Sequence, residues 1–316
     1  MSPTSSRATG SPDSGAQAFG DEARAIAALA QRASVETTWR DIGRLKACQP
    51  HLARGALAYV SFIPGQTWRE TISACVAVRA AGFEPVPHIP ARELASAEAL
   101  DNLMAQLAAR VGVRRVLLVG GDRGVPAGPF AQSLDVMRSG MLARNGIREV
   151  AVAAHPEGHP RIAEAELRRA EEQKIAYAEQ QGIELTFVTQ FCFEAVPFLA
   201  WARELRARAV HVRIVAGLAG PASLATLFKY ALRCGVGPSV RALGARPGTL
   251  AGLIGDRGPE SVVRTIALSA AEPGIEPVGI HLYSFGGLAR TCAWIDAVAH
   301  CRFELDEERG FIVAEP

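Results

Sequence analysis

One pattern constrains this chain more than any other. Short apolar runs rich in β-branched residues alternate with amphipathic helical stretches, and several of those stretches stop at a glycine. Such alternation marks βα units and a parallel sheet. Eight runs read as strands: Ala33–Thr37, Leu57–Phe62, Glu84–Ile89, Arg114–Gly120, Arg148–His155, Glu184–Phe191, Ala209–Gly217 and Val278–Phe285. The sixth and seventh are almost continuously apolar, as strands buried on both faces should be. Helices are expected over 67–82, 96–112, 161–182 and 221–235, ending at Gly82, Gly112, Gly182 and Gly235. Eight strands with helices between them predict an α/β fold, a (β/α)8 TIM barrel. An open doubly wound sheet is the alternative, but no G-x-G-x-x-G follows any strand. The segment Val236–Pro277 holds no clear strand and is expected to add helices before the last one.

Length allows this as a single domain of residues 21–316, since α/β barrels reach 316 residues undivided. Residues 1–20, rich in Ser, Gly, Ala and Pro, read as a flexible tail without the apolar centre of a secretion signal. Lys and Arg number 34 against 32 Asp and Glu, with both signs interspersed, so no nucleic-acid partner is expected. No apolar run approaches the roughly 20 residues that span a bilayer. The six cysteines are scattered without a C-x-x-C, against a metal or redox framework. A cytoplasmic protein is expected.

In a barrel of this kind the active site lies at the C-terminal ends of the strands. There the sequence places His88, then Gly120, Gly121 and Asp122, then His155, Glu157 and His159, then Thr189 and Gln190, and finally His281, Tyr283 and Ser284. Several strands ending in polar groups would line one mouth. The stretch H-P-E-G-H-P (155–160) raises the question of a metal. A helical zinc motif needs two His at i and i+4 on one face, and Pro156 and Pro160 oppose a helix. A loop metal site, a rigid turn, and a rigid turn presenting donors to a ligand stay open. Asp122, directly after two glycines, is either a ligand contact or a turn cap.

These pieces resemble the methylenetetrahydrofolate reductase family, in family order. The matching stretches are VPHIPAR, VLLVGGD, VAAHPEGHP, FVTQFCF and GIHLYSF, within a likeness running from about Ser34 to Ser284. Pro-Glu-x-His-Pro followed by Thr-Gln-Phe is specific in combination. The resemblance implies a barrel binding FAD at its mouth, with NADH or NADPH as electron donor and a folate as substrate. It implies interconversion of 5,10-methylenetetrahydrofolate and 5-methyltetrahydrofolate. The family often forms oligomers, and a homo-oligomer fits the resemblance.

Carried over by position, Asp122 matches an aspartate beside the flavin ring and pterin, and Gln190 a folate-contacting glutamine. His88 and His159 match flavin contacts, with Gly120, Gly121, Ala154 and His155 in the same cofactor-binding segments and Tyr283 beside the substrate. Lys174 matches a lysine near the FAD phosphates, against the alternative of a solvated helix lysine. Glu36 is the candidate catalytic acid, against a plain glutamate leading into a helix. The sequence also departs from the family. No Pro-Pro follows Glu36, VSFIPGQT ends the second strand without the usual glycine-rich Thr segment, Gly120 stands for Arg, and His155 stands where the family tends to have Tyr. A non-flavin folate-binding protein or enzyme on the same barrel, linked to demethylation, is the alternative. A metal-dependent hydrolase or lyase using His155, Glu157 and His159 is the third reading.

Overall fold

The computed structural model describes residues 12–234, 256–269, 275, 278–308 and 310–314. Eight parallel strands close into a barrel: β1 (Ser34–Thr38), β2 (Leu57–Ser61), β3 (Glu84–Pro90), β4 (Arg115–Val119), β5 (Glu149–Ala154), β6 (Glu184–Cys192), β7 (Arg213–Ala219) and β8 (Val278–Tyr283). Each pairs with its sequence neighbours, and β1 pairs with β8 to close the ring. The (β/α)8 barrel expected from the alternation is the fold observed.

Period-two alternation divides β2 to β7 between two cores. The outward residues, among them Val60, Ile89, Val116, Leu118, Phe187 and Ile214, pack in one large cluster with residues from the helices. The inward residues Tyr59, Val86, Leu117, Ala151, Val188 and Val215 form a separate plug inside the barrel. Full burial of each large aliphatic side chain contributes about 1.5–3 kcal/mol. The plug also separates the C-terminal mouth from the N-terminal floor.

The outer helices begin and end where local chemistry dictates. In α1 (Pro12–Gln31) the helix starts within the segment expected to be a tail. Residues 1–11 of that segment lie outside the described residues. Leu45–Cys48 forms the short α2. Thr67 and Glu70 build a reciprocal capping box at the start of α3 (Trp68–Ala80). Ser96 caps α4 (Ala97–Val111), its hydroxyl accepting the Ala99 N–H. Two short helices, α5 (Ser133–Arg138) and α6 (Met141–Arg144), precede β5, and α7 (Glu164–Gln181) follows it. Then come α8 (Ala195–Ala207), α9 (Leu224–Cys234), α10 (Glu260–Ser269) and α11 (Leu288–Ala299).

The expected seventh strand begins too early. Residues 209–212 are a connection in which Ala209 takes φ 57° and the Arg206 guanidinium donates to the carbonyls of Val210 and Val212. Gly235, expected to end a helix, lies outside the described residues, as do 236–255, 270–274 and 276–277 of the segment that follows it. Within that segment α10 is the kind of added helix expected, but Asp256–Arg257 pairs antiparallel with Ala222–Ser223, a short strand the sequence did not suggest. An antiparallel hairpin, β9 (Phe303–Asp306) and β10 (Gly310–Val313), ends the described chain, with Phe311 buried near Trp294. No described helix is long and apolar enough to cross a membrane.

Candidate active site

On one side of the mouth, β1, β3 and β8 deliver three titratable groups to one point. Ser34 and Glu36 alternate inward on β1, and Ser34 lies in register with His281 of β8. The His281 Nδ1 is 2.9 Å from Ser34 Oγ, and its Nε2 is 3.6 Å from Glu36 Oε2. From β3, His88 Nε2 approaches the same oxygen at 3.7 Å. The three side chains are 1% (His281), 14% (His88) and 18% (Glu36) exposed. These separations are longer than direct hydrogen bonds. Glu36 Oε2, His88 Nε2 and the nearby Ser61 Oγ are buried with no hydrogen-bond partner. Unpaired buried polar atoms are costly and mark sites that a ligand completes.

Burial, the largest influence, pushes the Glu36 pKa up. His281, His88 and Ser61 outweigh it, and the carboxyl titrates below its ordinary 4.5. The His88 pKa falls to about 4, because burial and His281 oppose its charge more than Glu36 favours it. At neutral pH the pair is therefore carboxylate and neutral imidazole. The Tyr59 ring holds both imidazoles edge-on, with centroids 4.7 Å from His281 and 6.1 Å from His88.

The β4–β5 side is built differently. Gly121 takes φ 93°, a conformation that favours glycine, and turns the chain so that Asp122 points away. The Asp122 side chain is 92% exposed, 3.9 Å from Arg161. Asp122, expected to share the mouth with His88 and Gln190, stands in solvent, close enough to His159 to favour its charge. Gly120 is exposed, and a Cβ there would meet open space.

H-P-E-G-H-P is a turn. The Gly158 N–H donates to the His155 carbonyl at 2.9 Å, and the Arg161 N–H donates to His159 Nδ1 at 3.2 Å. The two imidazoles pack edge to face, centroids 5.1 Å apart. Burial, aided by His159 and Lys174, lowers the His155 pKa to about 4. Burial also lowers the pKa of Lys174 on α7, against the opposing pull of Glu171. Among the described residues no group of three His, Cys, Asp or Glu could hold a metal, which removes the hydrolase reading its metal site there. Ala154 faces outward into the helix-packed core at 1% exposure, so its side chain is not a mouth contact. Its inward neighbour on the alternation is Ala153.

The β6–β8 side is aromatic. A bulge shifts the register between Val188 and Phe191, and there Gln190 Oε1 accepts the Phe191 N–H at 3.1 Å. Gln190 lines a cleft with His155, Gly158, Thr189 and Phe198. The Tyr283 hydroxyl donates to the Thr189 carbonyl at 3.0 Å. Phe285 stacks on Tyr230 of α9 at 4.0 Å and runs nearly parallel to Tyr283.

Of the residues singled out in the sequence, Glu36 and His88 meet, His155 joins His159 and Lys174, and Gln190 shares a cleft with His155. Asp122 stays apart from Glu36. The sequence reading named His281 without a role and did not name Ser34 as a partner. The alternation Ser34–Glu36 in SVETT was the available signal. Pairing β1 with β8 gives it meaning.

A family model described as methylenetetrahydrofolate reductase matches residues 32–237, well over half the chain. The chain belongs to the methylenetetrahydrofolate reductase family. A relative from Pectobacterium carotovorum subsp. carotovorum, named 5,10-methylenetetrahydrofolate reductase, is 27% identical over 197 residues, which span 62% of this chain and 62% of the relative. Among solved structures, dihydropteroate synthase from Thermus thermophilus is 14% identical with a TM-score of 0.48, covering 85% of this chain and 94% of that one. A D-hydantoinase is 11% identical with a TM-score of 0.34, covering 57% and 41%. Likenesses this distant carry no argument about this chain. Within the methylenetetrahydrofolate reductase match lie Glu36, His88, His155 and Gln190, whereas His281 and Tyr283 fall beyond its end.

Proposed function

We propose that this protein is an FAD-dependent oxidoreductase interconverting 5,10-methylenetetrahydrofolate and 5-methyltetrahydrofolate, with NADH or NADPH as electron donor. Family membership supports the reading. The observation that carries it is Glu36, a buried carboxylate with an unpartnered oxygen between two imidazoles at the barrel mouth. Opening a methylene bridge between two nitrogens needs an acid held away from bulk water.

The donor set fits FAD. Lys174 and the His155–His159 pair offer polar groups for its phosphates, and the open space at Gly120 admits a close approach. The unpartnered His88 Nε2 is placed to contact the flavin ring. When bound, the flavin supplies hydride transfer, while the protein supplies orientation and electrostatics. Gln190, Asp122 and Tyr283 are the proposed folate contacts, Asp122 by turning inward from its exposed position.

The chain's own chemistry then centres on a proton. His281, His88 and Ser61 hold the Glu36 pKa below its ordinary value in the free protein, and ligand closing over the mouth strengthens the opposing upward push of burial. Glu36 takes up a proton from solvent as the ligand enters, while His281, held at Nδ1 by Ser34, stands beside its Oε2 as a positioning residue. The neutral carboxyl gives the proton to the substrate nitrogen whose C–N bond opens, and returns to the carboxylate. In the reverse direction the same oxygen accepts it.

The non-flavin reading rests on two features. The end of β2 presents Phe62, packed on Trp68 at 4.5 Å, where the family has a threonine, and Asp122 is exposed. A visible spectrum of the purified protein, followed by anaerobic titration with methyltetrahydrofolate, separates the two. Flavin absorbance that bleaches on titration is expected. A colourless protein that gains no flavin spectrum with added FAD, yet binds folate, would sink the flavin reading and favour the alternative.

A further inference from the structure

The barrel has a second polar cavity, at the opposite end from the mouth. It is lined by Arg32, Ser34, Tyr59, Arg115, Thr186 and Arg213, among others, and no carboxylate lines it. The first residues of β4 and β7 are Arg115 and Arg213, so period two turns both side chains into the barrel floor. Arg115 is tied to Glu149 of β5 by an ion pair. Arg213 has no hydrogen-bond or ion-pair partner among the described residues, and neither has the Thr186 hydroxyl. Two carboxylates stand in register beside the floor: Glu149, tied to Arg115, and Glu184 at the rim, which is exposed and takes part in no ion pair among the described residues.

Tyr59 supplies an independent observation. It is 2% exposed, its ring belongs to the central plug, and its hydroxyl has no hydrogen-bond partner among the described residues. It is also part of the wall of this cavity. Burial, the largest influence, raises its pKa; Arg115 and Arg213 are close enough to pull it down, and Glu149 close enough to push it up. The ring is buried while the hydroxyl opens onto the cavity, where a ligand can meet it. Guanidinium forks match the oxygens of a tetrahedral oxyanion, and hydroxyls add single donors.

We propose that the barrel floor is a binding site for a tetrahedral oxyanion of the phosphate type, held by Arg213 and Arg115 with Tyr59 and Thr186 as hydroxyl donors. The plug residues stand between this site and the mouth, so the ligand is structural. Its binding stabilises the closed barrel by mass action. The site shares Ser34 and Tyr59 with the wall of the mouth, where they contact His281 and both imidazoles respectively.

Inorganic phosphate is titrated into the full-length protein by calorimetry and by thermal melting, with sodium chloride at equal ionic strength as the control. Saturable binding and a phosphate-specific rise in melting temperature are expected. Arg213→Gln should weaken phosphate binding about tenfold or more, the scale of one lost charge-assisted contact. Tyr59→Phe, which keeps the ring in the plug, should weaken it about threefold to tenfold. Should Arg213→Gln fail to fold, Tyr59→Phe alone decides. Absence of saturable binding, equal stabilisation by chloride, or phosphate affinity unchanged in the folded variants would overturn the proposal. The last outcome would place the anion elsewhere, such as the Lys174 side of the mouth.

Discussion

The two sides of the barrel mouth are built on opposite principles. Around Glu36 the polar atoms are buried, fixed by strand register and left without partners. Around Asp122 they are solvated, carried on loops and loosely paired, as the 3.9 Å approach of Arg161 shows. The first arrangement is costly in the free protein and needs no reorganisation to act. The second costs little and gains its order from what it binds. Preorganised charge suits the proton-handling step, and exposed charge suits recognition.

The sharpest way to break this comparison is at Glu36. On the proposed function, Glu36→Gln lowers folate turnover by about 10²–10⁴-fold, the usual range for general acid–base catalysis. Unchanged turnover in a steady-state assay would place the chemistry elsewhere. His281→Asn comes next. As a positioning residue it should cost about 10²-fold and move the pH profile of kcat, because Glu36 loses the imidazole beside its Oε2. A uniform loss with the pH profile intact would mean only a damaged fold.

Acid stability gives a smaller effect. The folded protein holds the His88 pKa near 4 rather than 6.5, so the unfolded chain binds more protons between those values. Stability therefore falls as pH drops below 6.5, by about 2 kcal/mol from this group by pH 5. Glu36, with its pKa lowered, adds to the loss only below the ordinary carboxylate range. Urea midpoints at pH 7 and pH 5 should differ less in His88→Gln than in the parent. An identical difference would remove His88 as the source. The smallest expected effect is Asp122→Asn. Melting should shift by less than about 0.5 kcal/mol in stability, and KM for folate should rise several-fold without a matching fall in kcat. A kcat loss as large as that of Glu36→Gln would erase the contrast between the two sides.

How much of this could be read from residues alone follows the same division. Hydrophobic period gave the strands, because burial on both faces leaves a continuous apolar run. The strand pattern already placed Glu36 inside β1 and His88 inside β3, and the family likeness supplied only their roles. Ala154 was misplaced by one step, and in a strand one step changes face. The exposure of Asp122 was not legible, because the direction of a side chain after a glycine depends on φ, here positive at Gly121. The start of β7 was misread because Val210 and Val212 have strand-like composition, whereas Arg206 captures their carbonyls from the preceding helix. Neither the Ser34–His281 contact nor the arginine floor was visible, since both depend on how the ring closes.

That closure gives the centre an order of assembly. Ser34 and His281 are separated by 247 positions and meet only across the β1–β8 seam. A growing chain carries Glu36 and His88 long before it carries their third partner. Contacts this distant in sequence form late and slow folding. The centre thus becomes complete only when the closing barrel strand docks, so turnover reports a closed ring. Chains shortened before Val278 lack His281 and should be chemically silent.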